Sequence, residues 1–347
     1  GGPCRSTYMF PMMFVSFTLF AGTAFTLVVE GRLFLAIVAG TVLRREEQWS
    51  LGFPVAAFGN ALLFFLFTIL GIPLAAETVF LAHAVILGLL GGLSWRRRSS
   101  DTCFVSAPPC HAERSRSMTA RKFLVLLLCL SLLVKISYAF THAALLPSFY
   151  YDALSQWNMR ARISYEEQAI AFDSDESRGV SKPQYPILLH ALQITFMLPQ
   201  GEWFTGRSAA PVSDDAHLRP TGYGLQPSPA RRTGRLREGW FDRLANTATL
   251  LLTLSAFLSV FLLLQRRGTL FALIVCTVLL SIPLLTMHLG QGYGDIHVLE
   301  YFLLSAVFLV LAMEGIDPRS LFLSALFFRA CAKCRKILAK LCAKPLL

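Results

Sequence analysis

The sequence predicts an all-α fold, a polytopic integral membrane helical bundle of about seven to nine spans with a long external loop carrying surface helices. Of its 347 residues, 54% are hydrophobic and only 15% are charged, and the mean hydropathy is +0.55. Apolar runs of about 18 to 24 residues recur along the chain, and lipid offers their backbone no hydrogen-bond partner. Each run is therefore predicted to be a helix, which excludes an ordinary cytosolic enzyme.

Residues 1–95 are predicted to hold the N-terminal transmembrane helices. The run 8–29 is long enough to cross and no small-residue cleavage site follows it, so it is interpreted as an anchor, with a cleaved signal peptide as the alternative. The run 33–43 is short, and predicts a half-helix or the tail of the first hairpin. Residues 54–73 and 78–93 then predict a helical pair.

Basic residues predict the orientation of the later spans. The loop 96–122 contains seven Lys and Arg residues, and short loops of this charge stay in the cytoplasm. The span that follows it therefore ends outside, and the segment 148–242 is predicted to be external. This segment has eleven acidic and ten basic residues, and long loops are translocated whatever their charge.

The remaining spans agree with this orientation. Three more spans are predicted, at residues 244–264, 269–287 and 296–313. If residue 152 is outside, these spans place Arg266-Arg267 and Arg319 on the inner side. The agreement requires that the apolar stretch 185–198 does not cross, and we expect it to lie as a helix on the outer membrane surface. The core is therefore assigned to residues 123–315, and residues 316–347 predict a short helix with a basic amphipathic tail on the anionic inner leaflet.

Charge and cysteine content exclude several function classes. The net charge of +11 is first explained by topology, so nucleic-acid binding is not predicted. The eight cysteines show no spacing of a disulfide scaffold. His288 and His297 flank Asp295 without a fixed ligand spacing, so no metal is predicted. Lys135 is interpreted as the only charged residue clearly inside a span, whereas a transporter should place paired charges at mid-membrane.

Two carboxylates stand at the predicted outer ends of spans. Asp152 follows the span that begins at residue 123, and Asp295 precedes the span 296–313. Because both ends face the same side, the two side chains could converge on one external cavity. A carboxylate near lipid is costly and is therefore a candidate for function. The alternative is that each caps a helix or lies in headgroup water.

Three short motifs give these carboxylates a context. They are Asp152-Ala-Leu-Ser-Gln-Trp157, then Lys182-Pro-Gln-Tyr185-Pro-Ile, and Gly292-Tyr-Gly-Asp-Ile-His297. In this order they resemble segments of the GT-C glycosyltransferases, which include the protein mannosyltransferase and aminoarabinose transferase groups. That family carries an Asp soon after the first core span, a Tyr-Pro-Pro-Leu type motif, and a later Gly-Tyr-Ala-Asp-Leu segment. The resemblance covers residues 120–315.

The resemblance implies a role for each candidate residue. Asp152 would be the general base that takes the proton of the acceptor, and Asp295 would orient the acceptor or the phosphate-binding group. Arg160, Arg162 and Lys182 would stabilise the departing lipid phosphate with their positive charge. The alternative is that these three residues only belong to a solvated loop. The implied substrate-binding residues are Trp157, Arg160, Arg162, Lys182, Tyr185, Tyr293 and His297.

The resemblance also implies partners and location. The donor is a polyprenyl-phosphate sugar, used as a substrate without a further cofactor, and the acceptor is a glycan, a lipid or a protein. The enzyme would lie in a bacterial-type inner (plasma) membrane, with its active site on the external face. Ile187 replaces the second proline of the motif, residues 201–242 resemble an insertion, and the chain stops soon after Met313. These departures leave a truncated or degraded member as an alternative to an active enzyme.

A second class of function stays open. A non-enzymatic membrane protein, either a transporter-like bundle or an inactive remnant of such an enzyme, would have the same hydropathy. The acidic residues gather in the external loop rather than inside spans, which favours chemistry at the membrane surface.

Overall fold

The computed structural model describes residues 9–100, 118–145, 157–170, 187–205, 242–289, 293–315 and 318–341. In these ranges the regular structure is helical. The helices are α1 Met9–Val38, α2 Arg45–Ile69, α3 Ala76–Ser100, α4 Met118–Leu145, α5 Met159–Glu166, α6 Ile187–Thr205, α7 Asp242–Gln265, α8 Thr269–Leu279, α9 Pro283–Leu289, α10 Gly294–Met313 and α11 Pro318–Leu341. Six of those described, α1 to α4, α7 and α10, are long and apolar enough to cross a membrane. The predicted all-α polytopic bundle is confirmed.

Several helix boundaries differ from the predicted ones. The short run 33–43 is not a separate half-helix, because its first part is the end of α1 and a short 3-10 turn, Gly40–Val42, follows. The predicted span 269–287 is divided into α8 and α9 at Pro283. Proline lacks the N–H that would continue a helix but is well suited to begin one, which explains the division.

Some predicted segments lie outside the described residues. These are most of the basic loop, at residues 101–117, and most of the proposed insertion, at residues 206–241. The C-terminal region is described as α11, which packs against α10, and residues 342–347 lie outside the description.

A proline inside α2 joins three helices. Pro54 has no N–H, so the carbonyl of Ser50 loses its helical hydrogen bond. The Ser255 hydroxyl of α7 donates to that carbonyl at 2.5 Å. The Tyr301 hydroxyl of α10 donates to the Pro54 carbonyl at 2.6 Å. Backbone groups in a membrane must be satisfied by protein, so these two bonds explain how α2 accommodates the proline between α7 and α10.

Arginines from three helices meet at one end of the bundle. Arg97 of α3, Arg266 of α7 and Arg319 of α11 donate to backbone carbonyls of the α1–α2 connection. The accepting carbonyls are those of Ile37, Val42 and Ala39, where a helix end leaves acceptors without an intrahelical partner. The basic ends that the sequence analysis assigned to one side therefore lie at one end of the bundle.

The segment after residue 156 lies at the opposite end. The Gln168 carbonyl accepts a hydrogen bond of 2.7 Å from the backbone N–H of Leu74, in the turn between α2 and α3. The N–H of Ile170 donates to the Thr68 hydroxyl at 3.1 Å. These bonds attach α5, which belongs to the predicted external loop, to the end of the bundle away from the arginines.

The location predicted for residues 185–198 is corrected. In the part of this stretch that the structure describes, residues 188–199 of α6 are all buried, among α1, α2, α5 and α7. A helix lying on the membrane surface would leave one face exposed. In α6 all faces are buried, and the polar His190, Gln193 and Thr195 are buried together with the apolar residues, so this helix lies in the interior of the bundle.

Candidate functional site

Two of the three sequence motifs meet where α5 and α10 begin. The Trp157 side chain is 2% exposed, and a Cβ placed on Gly294 would lie only 2.4 Å from its ring. On α6, the His190 ring stacks on Trp157 with ring centroids 5.6 Å apart and planes at 23°. Glycine at position 294 therefore allows the tryptophan from the loop to contact the start of α10.

The α5 side of this junction carries polar groups into the interior. Asn158 and Gln193 are both buried, and the Gln193 amide donates to the Asn158 side-chain oxygen at 2.9 Å. Arg160 is 2% exposed, whereas Arg162 is partly exposed. Arg160 thus does not extend into solvent as a loop arginine would. The Arg160 side chain is therefore one of the buried polar groups of this junction.

The α10 side adds aromatic and acidic groups. Tyr293 is buried and stacks on His288, with ring centroids 4.0 Å apart. Asp295 is exposed in the first turn of α10, where the helix dipole favours a negative charge. The N-cap position belongs to Tyr293, so Asp295 is inside the helix rather than at its cap. Its carboxylate is therefore accessible from outside the bundle.

A buried histidine and carboxylate follow on the same helix. His297 Nδ1 lies 2.9 Å from Glu300 Oε2, and both residues are buried. The sequence analysis proposed His297 but missed Glu300. The sequence does contain a signal for Glu300, because it is an acidic residue within the apolar run 296–313. An acidic side chain inside a span must be paired or functional.

The remaining predicted site residues lie outside the described residues. Asp152, Lys182 and Tyr185 belong to this group. The structure brings together Trp157 and the segment that begins at Tyr293. The roles of the carboxylates stay predictions.

A further ionisable pair lies inside two spans. Glu30 of α1 faces His83 of α3, with the two carboxylate oxygens 2.8 and 2.9 Å from Nδ1. Both residues are buried. Lys135 is thus not the only ionisable group within the spans, and the sequence analysis missed this pair because it ended the first span at residue 29. Such a residue inside a membrane is itself a functional candidate.

Neither sequence nor fold comparison adds a relative. Comparison of the chain with protein-family models, with curated proteins and with solved structures finds no match. Among the described residues, no group of three or more His, Cys, Asp or Glu side chains is placed to hold a metal ion. Fold and site together define an all-α integral membrane protein with buried polar groups at one end of its bundle and a second polar pair within the spans.

Replacing Gly294 by alanine should disturb the junction between the loop and α10. The new methyl group would lie 2.4 Å from the Trp157 ring, so the ring or the helix must move, at a cost of about 1–3 kcal/mol. The check is thermal unfolding of the purified protein in detergent. Gly88→Ala on α3 is the control, because a Cβ there meets nothing within 4 Å. Equal stability of the two variants would contradict the packing of Trp157 on Gly294.

Proposed function

We propose that the chain is a membrane glycosyltransferase of GT-C type. It would move a sugar from a polyprenyl-phosphate donor to an acceptor at the external face. The observation that carries the proposal is the contact between Trp157 and Gly294, because it brings together two of the three motifs on which the resemblance rests. This contact lies at the end of the bundle away from Arg97, Arg266 and Arg319, and the positive-inside rule makes that end external.

The proposed reaction uses a base and a cationic site. Asp152 accepts the proton of the acceptor hydroxyl as its oxygen forms a bond to the anomeric carbon. The bond from that carbon to the phosphate oxygen breaks, and the electron pair leaves with the lipid phosphate. Arg160 and Arg162 of α5, with Lys182, stabilise the charge that develops on the phosphate.

The described geometry supports a division of roles in the proposed site. Trp157 is enclosed between Gly294 and His190, so it positions the loop rather than offering a free ring face to a sugar. Asp152 precedes it by five residues, and the length of an extended chain limits their Cα separation to about 17 Å. Asp295 is exposed near this junction and would orient the acceptor.

A second candidate function is a non-enzymatic, transporter-like bundle or an inactive enzyme remnant. The observation that favours a transporter is the pair of Glu30 and His83 inside two spans, because paired ionisable groups within a membrane mark ion and substrate pathways.

A transfer assay separates the two candidates. The purified chain in vesicles is offered a panel of polyprenyl-phosphate sugars, and donor binding and sugar release are measured. We expect at least one donor to bind, Arg162→Gln to weaken that binding, and Glu30→Gln to leave it unchanged. Binding of no donor would refute the proposal, and binding without transfer would identify an inactive remnant. Loss of donor binding in Glu30→Gln alone would favour a site within the spans.

A further inference from the structure

A cavity of about 160 Å³ lies between α1, α3 and α6, away from the junction of Trp157 and Gly294. Most of its lining is apolar, and His83 and Thr195 also line it. Three lining residues, Thr18, Gly22 and Phe80, are exposed. Because they belong to the spans of α1 and α3, the exposed side of the cavity faces the lipid. A ligand can therefore reach it from within the bilayer.

The threonines along α1 present acceptors to this cavity. Thr18, Thr23 and Thr26 each donate their hydroxyl proton to the carbonyl four residues earlier, at 2.9 to 3.0 Å. A hydroxyl has one proton and two lone pairs, and in these threonines the proton is already used. Each hydroxyl oxygen can therefore only accept a hydrogen bond from a ligand. Thr195 donates to the Ala191 carbonyl and already accepts from the Asn60 amide at 2.7 Å, so only one of its lone pairs is left.

His83 adds one more acceptor. It is 6% exposed and lines the cavity. Its Nδ1 faces both oxygens of the Glu30 carboxyl, which accept when the group is ionised, so a neutral ring opposite that carboxylate carries its proton on Nδ1. The other ring nitrogen, Nε2, is buried and has no hydrogen-bond partner among the residues that the structure describes. In this tautomer Nε2 can only accept a hydrogen bond.

We propose that the cavity binds an uncharged, lipid-borne alcohol. Its apolar body lies against the apolar wall, and its hydroxyl donates to His83 Nε2. An apolar wall and access from the bilayer favour an uncharged ligand, because moving a charge to that depth is costly. The acceptors along the wall favour a ligand that donates. This binding is independent of the proposed sugar transfer, which uses groups at the end of the bundle.

Photolabelling tests the proposal with ligands that differ in one group. The full chain in lipid nanodiscs is exposed to a diazirine-bearing hexadecanol, to its methyl ether, to the matching ketone and to the matching ammonium. We expect the alcohol to label α1 or α3, and the ether, which cannot donate, to label about three- to tenfold less. Equal labelling by alcohol and ether would overturn the proposal. Preferential labelling by the ammonium would overturn the proposal and show a cation site instead. Preferential labelling by the ketone, which can only accept a hydrogen bond, would overturn it by showing that the His83 ring donates.

A matched pair of glycine variants tests the location. Gly22 lines the cavity, and a Cβ added at either Gly22 or Gly88 would meet no atom within 4 Å. Gly22→Leu should therefore add side-chain atoms at the cavity from a position where a Cβ is accommodated, and abolish labelling by the alcohol. Gly88→Leu adds the same side chain to α3 outside the lining and should leave labelling unchanged. Equal labelling of the two variants would refute this location.

Discussion

Replacing Asp152 by asparagine should lower sugar turnover by about 10²- to 10⁴-fold and change donor binding little. Asparagine keeps the shape and much of the hydrogen bonding of the side chain, but it cannot accept the proton of the acceptor. The measurement is the initial rate of transfer at saturating donor, together with the donor dissociation constant. A wild-type rate in Asp152→Asn would show that Asp152 is not the base.

Asp295→Asn is the matched comparison for this experiment. Asp295 is exposed in the first turn of α10. If it is a positioning group, Asp295→Asn should lower the turnover less than Asp152→Asn does and should weaken the apparent affinity more. If both residues only stabilise helix ends, each substitution should instead cost about 1 kcal/mol of stability or less, with no separate effect on transfer. The two patterns are distinguished by measuring rate and unfolding on the same preparations.

Replacing Arg266 by alanine should destabilise the fold by about 3–5 kcal/mol. The Glu47 side chain is fully buried at the start of α2, and the Arg266 side chain is only 15% exposed. Arg266 Nε donates to Glu47 Oε1 at 2.7 Å, and its NH2 group bonds both Glu47 Oε2 and the Val42 carbonyl. Removing the arginine leaves the buried carboxylate with the backbone N–H of Arg44 and, 4.0 Å away, the guanidinium of Arg44, whose side chain is 53% exposed. Equilibrium unfolding in mixed detergent micelles measures the loss.

The neighbouring arginine provides the control. Arg267 pairs with Glu314, and their side chains are 42% and 38% exposed. A pair of this kind contributes about 0–1 kcal/mol, so Arg267→Ala should be nearly neutral. The double variant Glu47→Gln with Arg266→Met should lose less stability than Arg266→Ala, because it leaves no unpaired charge. Equal effects of Arg266→Ala and Arg267→Ala would contradict the burial of the Glu47 pair.

Three groups of paired, buried ionisable side chains are described. One is the arginine end with Glu47, the second is the junction of α5 and α10, and the third is the pair of Glu30 and His83 within the spans. The first has a structural explanation, since its guanidinium groups bond helix-end carbonyls. In the other two, His297 Nε2, Glu300 Oε1 and His83 Nε2 are buried without a hydrogen-bond partner among the described residues, and the lipid-alcohol proposal rests on His83.

The sequence by itself determined which segments are helical and which of their ends share a side. Length and hydropathy are local properties, and they predicted the spans within α1 to α4, α7 and α10. The basic residues predicted which helix ends lie together at the arginine end, because positive charge near the end of a span indicates its orientation. The sequence also predicted that the segments of Trp157 and Asp295 share a side, and the structure brings these segments together at Gly294.

Only the tertiary structure decided which helices are interior and which polar groups meet. Leucines of α4 such as Leu126 and Leu133 are exposed, while Leu188 and Leu192 of α6 are buried. Lipid is as apolar as a protein core, so composition does not distinguish a lipid-facing leucine from an interior one. The same holds for Glu30 and His83, which are 53 residues apart in the chain. Their contact depends on the packing of α1 against α3, and no local pattern records that packing.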